Sequence, residues 1–225
     1  MNLIKTWFYM GLNVFYFLFS KHWVDKKIKE YLSRKYNKND TIIIAIHGVF
    51  EYYWQSFTRY MKYFDKKGKV IIPIHYDYTK SFDDATAKVK KQIQEIAKKT
   101  KCNIILIGNS SGGLVGAKYM IESKGKYVKE FIPVATFYSR EGYGVFAKLI
   151  IAVLKEPYKN MPAHEKLLKQ KIPKTKIEVY GSKDIFINRK KLIKKYIKKQ
   201  IFPTGHFSIL YSPEIIKFIY DYIFS

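Results

Sequence analysis

Short apolar runs at 41–46, 69–74, 103–107, 130–134, 176–180 and 200–202 alternate with longer stretches of helical periodicity. No other feature narrows the choice of fold as much. The runs are apolar along their length rather than at every second position, as strands are when both faces of their sheet are covered. Helical patterns fall at 54–66, 82–99, 111–123, 190–198 and 213–224. The second is the best marked: Phe82, Ala85, Val89, Ile93 and Ile96 share one face, and Ser81 with Asp84 has the spacing of a capping box. The alternation predicts an α/β chain with about six mostly parallel strands and helices on both faces.

At 225 residues the chain suits one domain with a substantial core. Residues 41–225 are read as that domain and 1–40 as an N-terminal helical extension, apolar over 6–20 and basic beyond. The apolar run is about 15 residues long, short of the ~20 a helix needs to cross a bilayer. Its aromatic residues, with Lys26, Lys27 and Lys29 beyond it, favour a short or interfacial membrane anchor. A helix packed on the domain or a partner is the alternative. A cleaved signal fits less well, because Lys21-His22-Trp23 stands where small residues would precede a cleavage site. The expected location is membrane-associated or cytoplasmic. Over 137–171 the alternation breaks, with Gly142, Gly144, an apolar stretch 145–154, Pro157 and Pro162. A helical lid insertion is expected there, with a plain surface helix as the alternative.

The net charge of +24 invites a nucleic-acid reading. Against it, Arg supplies only Arg34, Arg59, Arg140 and Arg189, and every other basic residue is Lys. Base-edge and bidentate phosphate recognition lean on the planar guanidinium fork. The lysines are dispersed, so a solvated coat is the primary reading and attraction to anionic surfaces the secondary one. The 48% hydrophobic content excludes a disordered basic tail. A single cysteine, Cys102, excludes an intramolecular disulfide framework and a cysteine-based zinc site.

The sequence Gly108-Asn109-Ser110-Ser111-Gly112-Gly113 follows one apolar run and opens a helical pattern. A Gly-x-Ser-x-Gly nucleophile elbow needs that context, its serine sitting on a strained strand-to-helix turn. An ordinary Gly/Ser turn is the competing reading. Upstream, the first run ends in His47-Gly48-Val49-Phe50; downstream come Asp184, just past a strand-like run, and His206, just past the last one.

With its Ser110, Asp184, His206 order, the chain resembles the α/β-hydrolases of the lipase/esterase type over about 41–225. The resemblance implies a reduced version of that fold, because residues 1–40 read as helical where larger members have further strands. It also implies that Ser110 is the nucleophile, His206 the general base and then acid, and Asp184 the residue that orients the imidazole. Backbone N–H groups of Val49 or Phe50 and of Ser111 would form the oxyanion hole. Phe50, Tyr53, Phe137, Val145 and Leu149 would line an acyl pocket. His75, close to Asp77, is the rival base; Glu156, Glu165 and Glu178 are the rival acids. No side-chain cluster has metal-ligand spacing and no phosphate loop occurs, so neither metal nor cofactor is implied. The function expected is hydrolysis of small-molecule or lipid carboxylic esters through an acyl-enzyme. A thioesterase, amidase or acyltransferase would share the triad, and a non-catalytic protein binding membrane or nucleic acid would share the fold.

Overall fold

Branched side chains are stiff and pack well on a pleated surface, and they dominate Thr41-Ile42-Ile43-Ile44-Ala45-Ile46. In the computed structural model, which describes residues 19–49, 51–138, 166–168, 170–187 and 197–225, this run is strand β1 (Thr41–Ile46). Every residue of it after Thr41 is buried. The other strands are β2 (Val70–Ile74), β3 (Asn103–Asn109), β4 (Val128–Val134), β5 (Ile177–Gly181) and β6 (Lys198–Phe202). They form one sheet in the order β2-β1-β3-β4-β5-β6, with every pairing parallel. Parallel neighbours require crossover connections, and the amphipathic segments supply them.

The helices are α1 (Lys21–Ser33), α2 (Tyr53–Asp65), α3 (Phe82–Thr100), α4 (Ser111–Glu122) and α5 (Pro213–Phe224). Ser81 caps α3, its hydroxyl accepting from Asp84 N–H (3.1 Å) and donating to the Asp84 carboxylate (2.7 Å). The same helix has Asp83 and Asp84 in its first turn and Lys98 and Lys99 in its last, matching its dipole at both ends. α4 packs on β3, β4 and α3, while α2 packs on β1, β2 and α5.

α1 packs against α2, β2 and α3. It buries Val24 and Tyr31, whose hydroxyl donates to Asp65 of α2 (2.8 Å) beside a Lys27–Asp65 ion pair (3.0 Å). The basic part of the expected extension is therefore built onto the core from Lys21 onward. β2 is an edge strand, and its edge carries Pro73, which has no N–H to offer. Just past it, the Gln92 side chain accepts from His75 N–H (3.3 Å) and donates to His75 C=O (2.7 Å), filling the place of a next strand. Among the described residues no helix is long and apolar enough to cross a membrane. The apolar run up to residue 18, most of the expected lid (139–165) and most of the helical pattern 190–198 lie outside the described residues.

Candidate active site

β3 runs two residues further than the apolar run suggests, pairing Gly108 with Pro133 and Asn109 with Val134. Ser110 follows at φ 51°, ψ −119°, a region costly for any residue with a Cβ, and α4 starts at Ser111. The neighbouring glycines make the turn possible by close approach. A Cβ on Gly108 would lie 2.6 Å from Gly113 Cα, and one on Gly112 would lie 2.2 Å from His47 O. Both distances are below contact, so any larger residue would push α4 off β3 and β1. The bend leaves the Ser110 hydroxyl at the C-terminal end of the central strand. Ser110 N–H donates to Val134 O (2.8 Å), which ties the turn to β4.

Asp184 and His206 reach the same place from the outer strands. Their loops are laced together: Ser182 N–H donates to Phe202 O (2.6 Å) and Lys183 N–H to Thr204 O (2.9 Å). Gly181 permits this, since a Cβ there would meet Thr204 O at 2.3 Å. Asp184 Oδ2 lies 2.7 Å from His206 Nδ1, and Asp184 Oδ1 accepts from Phe186 N–H (2.8 Å). His206 Nε2 lies 3.0 Å from Ser110 Oγ. All three residues are buried. A serine hydroxyl, an imidazole and a carboxylate thus stand in hydrogen-bonded line, able to relay a proton away from Ser110 Oγ.

The remaining expected residues are placed as follows. Ser111 is in the first turn of α4, where N–H groups have no acceptor within the helix. Val49 is half-buried on the loop leaving β1. Phe137 is buried on the loop leaving β4, next to Thr136, whose hydroxyl donates to Ser110 O (3.4 Å). Phe50, Val145 and Leu149 lie outside the described residues, as do Glu156 and Glu165. Tyr53 opens α2. Its hydroxyl donates to Asp25 of α1 (2.5 Å), and its ring lines a cleft of about 590 Å³ between α1, β2 and α3. His75 lines that cleft too, stacked over His47 at 5.7 Å rather than set beside Ser110. Asp77 closes an exposed turn by accepting from Thr79 N–H (2.9 Å) and Thr79 Oγ1 (2.6 Å). Glu178 is buried within β5, where it accepts from the Tyr180 hydroxyl (2.8 Å).

Solved structures share this arrangement of strands and helices. The chain superposes on Bacillus licheniformis lipase BlEst2 in its mature form with a TM-score of 0.63 at 17% identity, over 85% of this chain and 94% of that one. For Est1E from Butyrivibrio proteoclasticus the values are 0.62, 12%, 84% and 90%. For the esterase EaEST from Exiguobacterium antarcticum they are 0.61, 15%, 83% and 93%. The chain has the α/β-hydrolase fold. No protein-family model and no curated protein sequence matches it. In this reduced α/β-hydrolase fold the turn after the central strand carries Ser110, and the loops after the last two strands carry Asp184 and His206.

Two groups in the neighbourhood escaped the sequence reading. Tyr76, just past β2, stacks on His47 (4.6 Å) and has its hydroxyl 3.1 Å from Ser111 Oγ. His47 is fully buried, with Nδ1 2.8 Å from Gly48 O, and burial pushes its pKa down to about 4. Glu51 is the second missed group, a buried acid within the aromatic stretch 50–54. Its only signal in the sequence was a lone charge among aromatics.

Proposed function

We propose that the protein is a serine hydrolase that cleaves carboxylic esters through an acyl-enzyme. The observation that carries this reading is the Ser110–His206–Asp184 line, with contacts of 3.0 Å and 2.7 Å, at a positive-φ strand-to-helix turn. Ser110 Oγ attacks the ester carbonyl carbon while His206 Nε2 takes its proton, and the carbonyl π electrons move onto oxygen. The N–H groups of Ser111 and of Val49 or Phe50 bind that oxyanion. Its collapse breaks the bond to the leaving alkoxide, which takes the proton from His206. Water then repeats the sequence on the acyl-enzyme, releasing the acid and restoring Ser110. Asp184 holds the Nδ1–H tautomer and stabilises the imidazolium.

The substrate class in this reading is an ester with an apolar acyl or alcohol part. Ile185 and Phe207, each next in sequence to a triad member, are 56% and 46% exposed. Phe186 sets its ring 4.9 Å from His206, extending the apolar rim. Such a rim suits lipid-like esters, and the apolar run 6–20 with its following lysines suits contact with an anionic membrane surface.

Labelling with a fluorophosphonate tests the assignment. The wild type is expected to label, Ser110→Ala not at all, and His206→Ala at least about 1,000-fold more slowly. Labelling that persists in Ser110→Ala would refute Ser110 as nucleophile. Turnover of matched esters, thioesters and amides then fixes the bond type, and a series of acyl lengths tests the apolar rim.

A further inference from the structure

The Glu51 carboxyl is buried on the loop that leaves β1, and no step of the proposed reaction uses it. One of its oxygens, Oε2, accepts from three donors: Gly48 N–H (2.9 Å), Ser56 Oγ (2.9 Å) and Asn109 Nδ2 (3.1 Å). The donors belong to three elements. Gly48 is in the loop after β1, Ser56 is in the first turn of α2, and Asn109 ends β3 immediately before Ser110. The packing around this carboxylate is close. A Cβ on Gly48 would lie 3.1 Å from Glu51 Oε2 and 3.2 Å from Ser110 Cβ. Burial raises the carboxyl pKa while the three donors act to lower it. Burying an acid is costly unless hydrogen bonds compensate it, and here two of the three donors, Gly48 and Asn109, flank Ser110.

We propose that Glu51 is a positioning residue that sets the spacing between the oxyanion loop and the nucleophile elbow. The two N–H donors of an oxyanion hole must sit about 3 Å from one developing charge. Here they come from the turns that follow β1 and β3, beyond Ile46–Gly108, the last position at which the two strands pair. Glu51 joins Gly48, the residue before Val49, to Asn109, the residue before Ser110. Ser56 fixes the carboxylate from the side, so the strut cannot rotate. The His47–Tyr76–Ser111 contacts brace the loop from its other side. For its catalytic consequence this inference rests on the acyl-transfer reading; its structural content does not.

The test uses Glu51→Gln, close to isosteric, which turns one acceptor oxygen into an NH₂ among donors. Its steady-state kinetics on a soluble aryl ester, its thermal midpoint and its peptide-level hydrogen exchange are compared with wild type. The expected result is a kcat lower by about 10- to 100-fold with KM changed less than about 3-fold. Exchange should quicken by about 10-fold or more in peptides over 47–52 and 108–112 and stay unchanged in β2 and α3. Asn109→Ala cuts the strut at its other end and should lower kcat in the same sense. Combined with Glu51→Gln it should add little, because both remove one connection.

Unchanged kcat and unchanged local exchange would overturn the proposal. So would faster exchange spread through the whole chain, which would make Glu51 a general stability residue. A wild type that neither labels nor hydrolyses would refute the hydrolase reading alone. The exchange comparison would then still decide whether Glu51 ties the loop to the elbow. If Glu51→Gln does not fold, Asn109→Ala supplies the same comparison.

Discussion

His47 precedes Gly48, and its imidazole is sealed between Tyr76 and the end of β1. Burial lowers its pKa from 6.5 to about 4, so between those pH values the unfolded chain takes up a proton that the folded chain does not. The stability this neutral imidazole contributes is present above pH 6.5 and is lost as pH falls toward 4. The full gap is worth about 3 kcal/mol. Urea midpoints from about pH 7.5 to about pH 4 should fall less steeply in His47→Gln than in wild type, and coincident slopes would show that His47 is protonated in the fold. This residue also shows why part of the site could be read from the chain and part could not. Ser110, Asp184 and His206 each stand just past an apolar run, so the Gly-x-Ser-x-Gly motif, the strand positions and the resemblance to lipases and esterases together bring them into view. Glu51 and Tyr76 act across strands that meet only in three dimensions, and neither has a local signature.

Among the elements, the ends were harder to read than the middles. The apolar run of β3 stops before Gly108, and glycine normally interrupts a strand. In the sheet, Gly108 still pairs with Ile46 and Pro133, and its missing side chain is what lets α4 cross close by. β4 starts two residues before its apolar run, at Val128, where the pairing with β3 shifts register between Ile104 and Ile105. α1 is legible as a basic helix, but its docking is not, since only Val24 and Tyr31 are fully buried, with Trp23, Ile28 and Leu32 packed on the core in part. Tyr31 should therefore matter more than its exposed lysines. Tyr31→Phe is expected to lower unfolding stability by about 1 kcal/mol through the lost bond to Asp65, and Tyr31→Ala by about 3 kcal/mol or more. Chemical denaturation measures both. An Ala variant as stable as wild type would mean that α1 is not part of the cooperative core.

For the molecule as a whole, the net charge is +24, while Ser110, Asp184 and His206 are buried and Val49 is half-buried. If lysine-rich surfaces guide the protein to anionic membranes, its co-sedimentation with phosphatidylserine vesicles should be strong at about 0.05 M salt and largely gone at about 0.5 M. Equal binding to neutral vesicles would assign the contact to apolar insertion instead. The sheet itself is unevenly joined. β1, β3 and β4 share long registers, whereas β4 and β5 pair through the single position Val134–Val179. Ser110 sits on one side of that seam, while Asp184 and His206 sit together on the other, stitched by their own loops. The Asp184 carboxylate and the His206 imidazole therefore form a cartridge that is docked against Ser110 rather than threaded through it. Opening along the seam would part the Ser110 oxygen from the imidazole, with the carboxylate–imidazole couple left whole and still visible to a spectroscopist; under the proposed function such a molecule would be silent.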